Sequence, residues 1–377
     1  MATELEGLVR RFGAEECVGC GRCTYSCPAA HRYDSFSPRS VIEGIMSGGG
    51  VEPGGLWACA SCGSCSEACT SGVDFLEFVR AARSQMRRDS PPLPAHHGVL
   101  GNIRELSARR GLSPKGGSWT TPDLKFDDAS PTLLFVGCVP YFNVVFRHFR
   151  PDLLEIPRSA VRLLNACGIR PRLLPSERCC GHDSHWLGDS ETFEKLALLN
   201  IEAAEAQGIE EMVAFCPECL VTWRDLYPGR FGRLPFRVRS VIEVAAEGLK
   251  RGGVEIESNG GTYTYQDPCR LSRGSGIITE PREIIARLGS LRDMPRSGRS
   301  SVCCGTAGWV NCDRTARKVQ MERLNEAGAT GADRLVTACP KCLVHLSCAN
   351  FHHGGDLDRS VAVDDIHVLA ARALRNK

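Results

Sequence analysis

Five cysteines recur twice along the chain, in one order and at nearly one spacing. The first set is Cys138, Cys179, Cys180, Cys216 and Cys219; the second is Cys269, Cys303, Cys304, Cys339 and Cys342. Each set holds an adjacent pair before a glycine, Cys179-Cys180-Gly181 and Cys303-Cys304-Gly305. Each ends on a Cys-Pro-x-Cys turn, Cys216-Pro217-Glu218-Cys219 and Cys339-Pro340-Lys341-Cys342. From pair to turn is 36 positions in one set and 35 in the other, and the leading cysteine lies 41 and 34 positions before its pair. This agreement marks an internal duplication of about 100 residues. Five thiolates are one more than a tetrahedral zinc or an ordinary four-iron cubane takes. The glycine beside the pair lets two sulfurs and the backbone close on one inorganic core. The chemistry that fits is an unusual iron–sulfur cluster in each copy.

A second kind of cysteine run opens the chain. Cys17, Cys20, Cys23 and Cys27 precede Pro28, and Cys59, Cys62, Cys65 and Cys69 repeat the spacing, with Thr70 in place of the proline. Two-residue spacers put three sulfurs on one tight loop, as in bacterial ferredoxins, and the fourth cysteine ligates the other [4Fe–4S] cubane. One cubane is therefore expected on Cys17, Cys20, Cys23 and Cys69, the other on Cys59, Cys62, Cys65 and Cys27. Twenty-one cysteines without a signal-peptide apolar core point to metal in a reducing compartment, not to disulfides. A zinc protein with the same cysteines would be colourless; iron and acid-labile sulfide would make it brown.

Composition bounds the rest. A length of 377 residues allows two or three domains, and 42% hydrophobic with 24% charged residues is ordinary for a globular chain. A net charge of +2 gives no electrostatic case for nucleic acid. The most apolar stretch, residues 132–146, contains Gly137, Pro140 and Asn143 and falls short of the ~20 residues a spanning helix needs. The expectation is a cytoplasmic chain with no direct membrane span, attached to a membrane only through a partner. No GxGxxG fingerprint or P-loop is present, so flavin and nucleotide binding belong to other subunits.

Elements must hold these cysteines in place. Between the ferredoxin runs, Ser37-Pro38 reads as a helix start, Val41, Ile42 and Ile45 as its apolar face, and Gly48-Gly49-Gly50 as its stop. Asp74 and Glu77 read as a capping box before a stripe of Phe75, Val79, Ala82 and Met86, with Arg83, Arg87 and Arg88 on a solvated face. Residues 90–130 read as a linker with one helix near 101–109, and His96 and His97 as loop residues. TLLFVGC reads as a buried parallel strand carrying Cys138 to its C-terminal end, where open α/β sheets place their sites. The first copy continues with a helix near 157–167, a strand near 171–175, a helix over 190–207 burying Phe193, Leu196, Leu199 and Ala203, and the strand MVAFC. The second repeats the order with TYTYQDPC, helices near 281–289 and 313–328, RLVTAC and a helix from Pro340. A last helix spans about 365–375.

The doubled ferredoxin run, the two complete five-cysteine sets and the stretch Cys179-Cys180-Gly181-His182-Asp183 with Gly188-Asp189 and residues 191–196 resemble the heterodisulfide reductase catalytic subunit family, with ferredoxin-like and CCG-domain parts fused. The resemblance covers nearly the whole chain outside residues 90–130. It implies an α+β multidomain fold: an N-terminal α-helical ferredoxin domain (1–90), a linker (91–130), and two pseudo-symmetric α/β, Rossmann-like CCG domains (131–250 and 251–377). It implies two cubanes and two noncubane [4Fe–4S] clusters, one noncubane cluster on each five-cysteine set. It also implies cleavage of a disulfide of the CoM-S-S-CoB type between those two clusters, each delivering one electron that the cubanes supply. The partners would be other subunits of a redox complex, a membrane cytochrome b or a soluble flavoprotein donor. The wider superfamily leaves an alternative: an electron-transfer subunit linking a glycolate-, lactate- or glycerol-3-phosphate-type flavin dehydrogenase to a quinone or cytochrome, or a sulfite-reduction membrane-complex subunit. Two thiols need two protons. His182 and His185 are the candidate donors, and Lys341 a candidate to neutralise substrate or cluster charge. Cys167, Cys312 and Cys348 are left over: Cys312 is a spare thiol near the site or a buried small hydrophobe, and the other two belong to the core.

Overall fold

The computed structural model describes residues 2–33, 36–47, 53–112, 119–150, 152–310 and 312–375. The N-terminal part is helical. Helices Ala2–Arg11, Pro38–Met46 and Phe75–Met86 surround a core of Leu5, Leu8, Val41, Ile42, Ile45, Phe78 and Val79. Ser37 caps the second of these: its hydroxyl accepts from Ser40 N, and Pro38 fills the first helical position. The expected glycine stop at 48–50 lies outside the described residues. Asp74 caps the third helix by accepting from Glu77 N.

Among the described residues eight strands follow in two sheets. β1 (Thr132–Phe135), β2 (Arg172–Leu173), β3 (Glu211–Ala214) and β4 (Arg237–Ser240) form one, in the order β2-β1-β3-β4. β5 (Gly261–Gln266), β6 (Gly289–Leu291), β7 (Arg334–Thr337) and β8 (Ala362–Asp365) form the other, in the order β6-β5-β7-β8. Every pairing is parallel. Parallel strands need both faces covered, and β1 and β3 are buried throughout. Helix Glu155–Ala166 of the first copy packs on Ile366–Arg372 of the second, and Val241–Lys250 packs on Thr279–Leu288, so the two sheets share one continuous core.

Three expectations need correction. Arg83 is not solvated: it is fully buried, and its guanidinium donates to the carbonyls of Leu56 (2.9 Å), Cys59 (2.5 Å) and Trp186 (2.9 Å) and to the Ser61 hydroxyl (2.9 Å). It satisfies the carbonyls of Leu56 and Trp186 in the last turns of two short helices and of Cys59 just past one, which have no partner within a helix. Arg87 pairs with Asp189 at 2.7 Å, and Arg88 alone of the three is well exposed. Second, helix Ser190–Glu205 buries Asn200 beside Phe193, Leu196, Ala197, Ile201 and Ala204, leaving Leu199 and Ala203 half-buried. Asn200 turns inward because its amide donates to Cys179 O at 3.0 Å and its oxygen accepts from Arg178 N at 3.1 Å. Third, the stretch read as a linker packs: helix Val99–Ser107 buries Leu100, and Trp119 and Leu124 join the core of the two sheets.

Candidate iron–sulfur site

The sheets deliver the cysteines to their strand ends. Cys138 follows β1, Cys216 follows β3 and opens helix Pro217–Val221, and Cys179-Cys180 lie in the turn before helix His182–Trp186. Cys269, Cys339 and the pair Cys303-Cys304 hold the matching places beside β5 and β7. Gly181 (φ 79°) and Gly305 (φ 88°) turn the chain behind each pair in the left-handed region. Their amides point back at sulfur, Gly181 N to Cys179 Sγ at 3.5 Å and Gly305 N to Cys303 Sγ at 3.3 Å. Across the first set, Cys219 Sγ stands 3.6 Å from Cys180 Sγ.

Within each set the thiols hold one another's protons. Cys138 is pushed up by its hydrogen bond with Cys179, while Cys179 is pulled down by bonds from Cys138 and Cys180. Cys303 is pushed up by Cys269, Cys304 and Cys62, and Cys304 is pulled down by Cys303 and Cys342. Five sulfurs gathered this closely, four of each set buried, cannot all ionise alone, and a cationic metal core is what allows it. The soft donor set and the inward amides fit iron–sulfur clusters.

The sets are in line. Cys62 of the second ferredoxin run contacts Cys303 of the second five-cysteine set. Cys339 of that set contacts Cys216 of the first. In the ferredoxin runs, Cys27 sits with Cys59 and Cys62, and Cys23 sits with Cys17 and Cys69. Cys20 is exposed, between the exposed Val18 and Tyr25.

A narrow space of about 10 Å³, room for about one water, lies within the first set, lined by its five cysteines and by His182, Asp183, Glu218 and Lys341 among others. Lys341 reaches it from the second copy, 2% exposed, with its Nζ 2.5 Å from Asp183 Oδ1 and 2.7 Å from Glu218 Oε2. Burial opposes that charge, but the two carboxyls outweigh it and keep Lys341 protonated. Asp183, also against burial, is held well below the usual carboxylate range by Lys341. Glu218 is pushed up, first by burial. The oxygens and ring nitrogen of His182, Asp183 and Glu218 lie close enough to suggest a cation site, but Lys341 and Arg270 already supply the charge there.

His182 Nε2 accepts from Arg270 Nε at 2.9 Å, so its proton sits on Nδ1, facing Asp183 Oδ1 at 3.4 Å and Glu218 Oε2 at 3.5 Å. Burial first, then the charges of Arg270 and Lys341, lower it to about 3, so it is neutral at pH 7 and holds no imidazolium proton to give. The folded ring stays neutral while the unfolded one titrates near 6.5, so stability falls as pH falls below 6.5. Between pH 6.5 and 5 the wild type is expected to lose roughly 2 kcal/mol more than His182→Gln, measured by anaerobic denaturant titration. His185 does not reach this space. It packs edge-on against Trp186 and Phe193 and faces Glu77 of the N-terminal part at 3.6 Å.

Sequence reasoning missed Arg270, Glu218, Arg104 and Arg83. Arg270 directly follows Cys269, and Glu218 stands inside the Cys-Pro-x-Cys turn, so position beside a ligand was their signal. Arg104, 3.7 Å from Asp183, comes from the supposed linker and had no signal. Cys167 is half-buried with its thiol 3.7 Å from Val244 O, Cys348 is half-buried, and Cys312 is exposed and so is not a core residue.

The cysteine-rich CCG domain pattern matches residues 132–224 and 263–347, and the 4Fe-4S dicluster domain matches residues 13–73. A subunit of the dihydromethanophenazine:CoB–CoM heterodisulfide reductase of Methanosarcina barkeri is 27% identical over 97% of this chain and 95% of its own. The EtfAB:quinone oxidoreductase of Syntrophomonas wolfei is 21% identical over 96% of this chain and 58% of its own. Among solved structures, a hypothetical protein from Helicobacter pylori shares the fold, with a TM-score of 0.54 at 10% identity over 99% of this chain and 67% of that one. Among the described residues no helix is long and apolar enough to cross a membrane. With a dicluster domain ahead of two CCG cysteine-rich domains, the chain is an iron–sulfur oxidoreductase that is similar from end to end to the Methanosarcina heterodisulfide reductase subunit.

Proposed function

We propose that this chain reduces a disulfide of the CoM-S-S-CoB type to two thiols between its two five-cysteine sets. Each set would hold a noncubane [4Fe–4S] cluster in one of two pseudo-symmetric, Rossmann-like halves, and the ferredoxin runs would hold two cubanes. The observation that carries the reading is the contact row: Cys62 against Cys303, then Cys339 against Cys216. When bound, the clusters supply one-electron transfer and iron's affinity for sulfur. The chain's own residues do the rest. Exposed Cys20 with Val18 and Tyr25 marks where a partner subunit, a cytochrome b or a flavoprotein, would deliver electrons. Lys341 and Glu218 hold protons at the space within the first set, and Asp183 fixes the Lys341 ammonium there. His182, held neutral by burial first and then by Arg270, orients and does not donate.

The test is the reduction of the heterodisulfide by a reduced viologen. Cys180→Ala and Cys304→Ala are each expected to lose at least about 100-fold, since removing either set leaves one electron and one thiolate unserved. Full activity in either variant after loss of its cluster overturns the reading. Similarity to EtfAB:quinone oxidoreductase across nearly the whole chain favours a second reading, an electron relay from a flavin dehydrogenase to a quinone or cytochrome. A relay would reduce quinone and leave every disulfide intact.

A further inference from the structure

Each sheet ends on a strand with one unpaired side, β4 in the first and β8 in the second. The duplication makes the two strands counterparts. Glu211 of β3 stands beside Arg237 and Met212 beside Val238, as Arg334 of β7 stands beside Ala362 and Leu335 beside Val363. Arg237 N donates to Glu210 O at 3.1 Å, so the Arg237 backbone faces β3. Backbone groups alternate sides along a strand, and the N–H and C=O of Val238 therefore point outward, away from the sheet.

The fold covers one of these edges and leaves the other. At β8 the carbonyl of Val363 accepts from Arg150 Nη2 of the first copy at 2.9 Å. At β4 no side chain among the described residues donates to Val238 O. A groove of about 1030 Å³ runs there instead, with buried Trp223 and Phe236 among its walls. Arg224, Arg233 and Arg237 line it against one carboxylate, Glu210. Arg237 is 72% exposed beside Glu211, and Arg233 is exposed with no ion pair among the described residues. Charged side chains ordinarily guard an open edge against pairing. Here the guard has one sign. Two β4 edges side by side would bring the arginines of both copies together, which disfavours a second copy, whereas an acidic strand is drawn in.

We propose that β4 is the docking edge for an acidic, extended segment of a partner subunit, which adds to the first sheet as a further strand. Its main chain bonds the N–H and C=O of Val238. Its alternate side chains, acidic and apolar, meet the arginines and the walls at Trp223 and Phe236. This docking holds whether the chain reduces a disulfide or relays electrons.

The experiment uses the anaerobic, cluster-loaded full chain. The probe is a short fluorescein-labelled peptide alternating glutamate and valine. Anisotropy reads its binding, and hydrogen exchange over residues 233–240 reads the place. Saturable binding is expected, with exchange slowed over that segment and unchanged over Ala362–Asp365. Arg233→Glu is expected to weaken binding about tenfold, and the same peptide with lysine for glutamate to show none. No saturable binding, equal binding in Arg233→Glu, or binding without slowed exchange at 233–240 overturns the proposal. Exchange there that slows with protein concentration alone means that a second copy fills the edge, and overturns it too. Activity towards a disulfide, present or absent, changes none of these outcomes.

Discussion

Replacing Lys341 with alanine is expected to destabilise the protein by about 3–5 kcal/mol. Lys341 comes from the second copy and stands between Asp183 and Glu218 of the first, its side chain only 3% exposed. Its removal leaves the Asp183 carboxylate buried with Arg104, at 3.7 Å, as its remaining ion-pair partner. The loss comes from that uncompensated charge, not from an intrinsic worth of the pair. Lys341→Ala with Asp183→Asn should therefore recover a large part of it. Denaturant unfolding of anaerobic, cluster-loaded protein measures both. A loss under about 1 kcal/mol would mean that water already reaches the group.

Arg83→Ala has a comparable expected cost, about 3–5 kcal/mol, by a different route. Arg83 lies under the second ferredoxin run, with Trp57 5.1 Å from its guanidinium carbon. It donates to Cys59 O and to Ser61, and Ser61 stands in left-handed backbone (φ 47°) where the first run has Gly19 (φ 67°). It also donates to Trp186 O, which ties the ferredoxin part to the turn behind Cys179-Cys180. Close by, a Cβ on Gly188 would stand 2.4 Å from Ser84 N, so the two parts touch backbone to backbone there. Truncation leaves several buried carbonyls unpaired, and Arg83→Lys, with three donors on one point, should recover less than half. If Arg83→Ala unfolds at the wild-type denaturant midpoint, those carbonyls have found water.

These two side chains show where the sequence was readable. The cysteine sets were, because residue type and spacing repeat together, and the structure gathers each five-cysteine set at strand ends. The parallel strands were, because TLLFVGC and RLVTAC are short, mostly apolar runs that end on a cysteine. Helix bounds came within a few residues, as at Glu155–Ala166 against 157–167. Charged residues that the tertiary fold buries were not readable. Arg83 sits on a helix face beside Arg87 and Arg88 and looks like them; only the carbonyls brought in by other segments make it internal. Asn200 broke an apolar stripe for the same reason, its partners lying about 20 positions away. Lys341 was singled out for its place between two cysteines. Its partners Asp183 and Glu218 are more than 100 positions distant, and no local pattern points to them.

The central claim is that a substrate sulfur comes to the paired cysteine sets, and EPR of anaerobically purified protein tests it most directly. The protein is oxidised with and without added thiol, coenzyme M first. The account predicts a paramagnetic signal that appears only on oxidation with a thiol and is lost in Cys180→Ala or Cys304→Ala. A protein with full iron and sulfide that gives no thiol-dependent signal with any substrate-class thiol contradicts it, and leaves the chain as an electron relay.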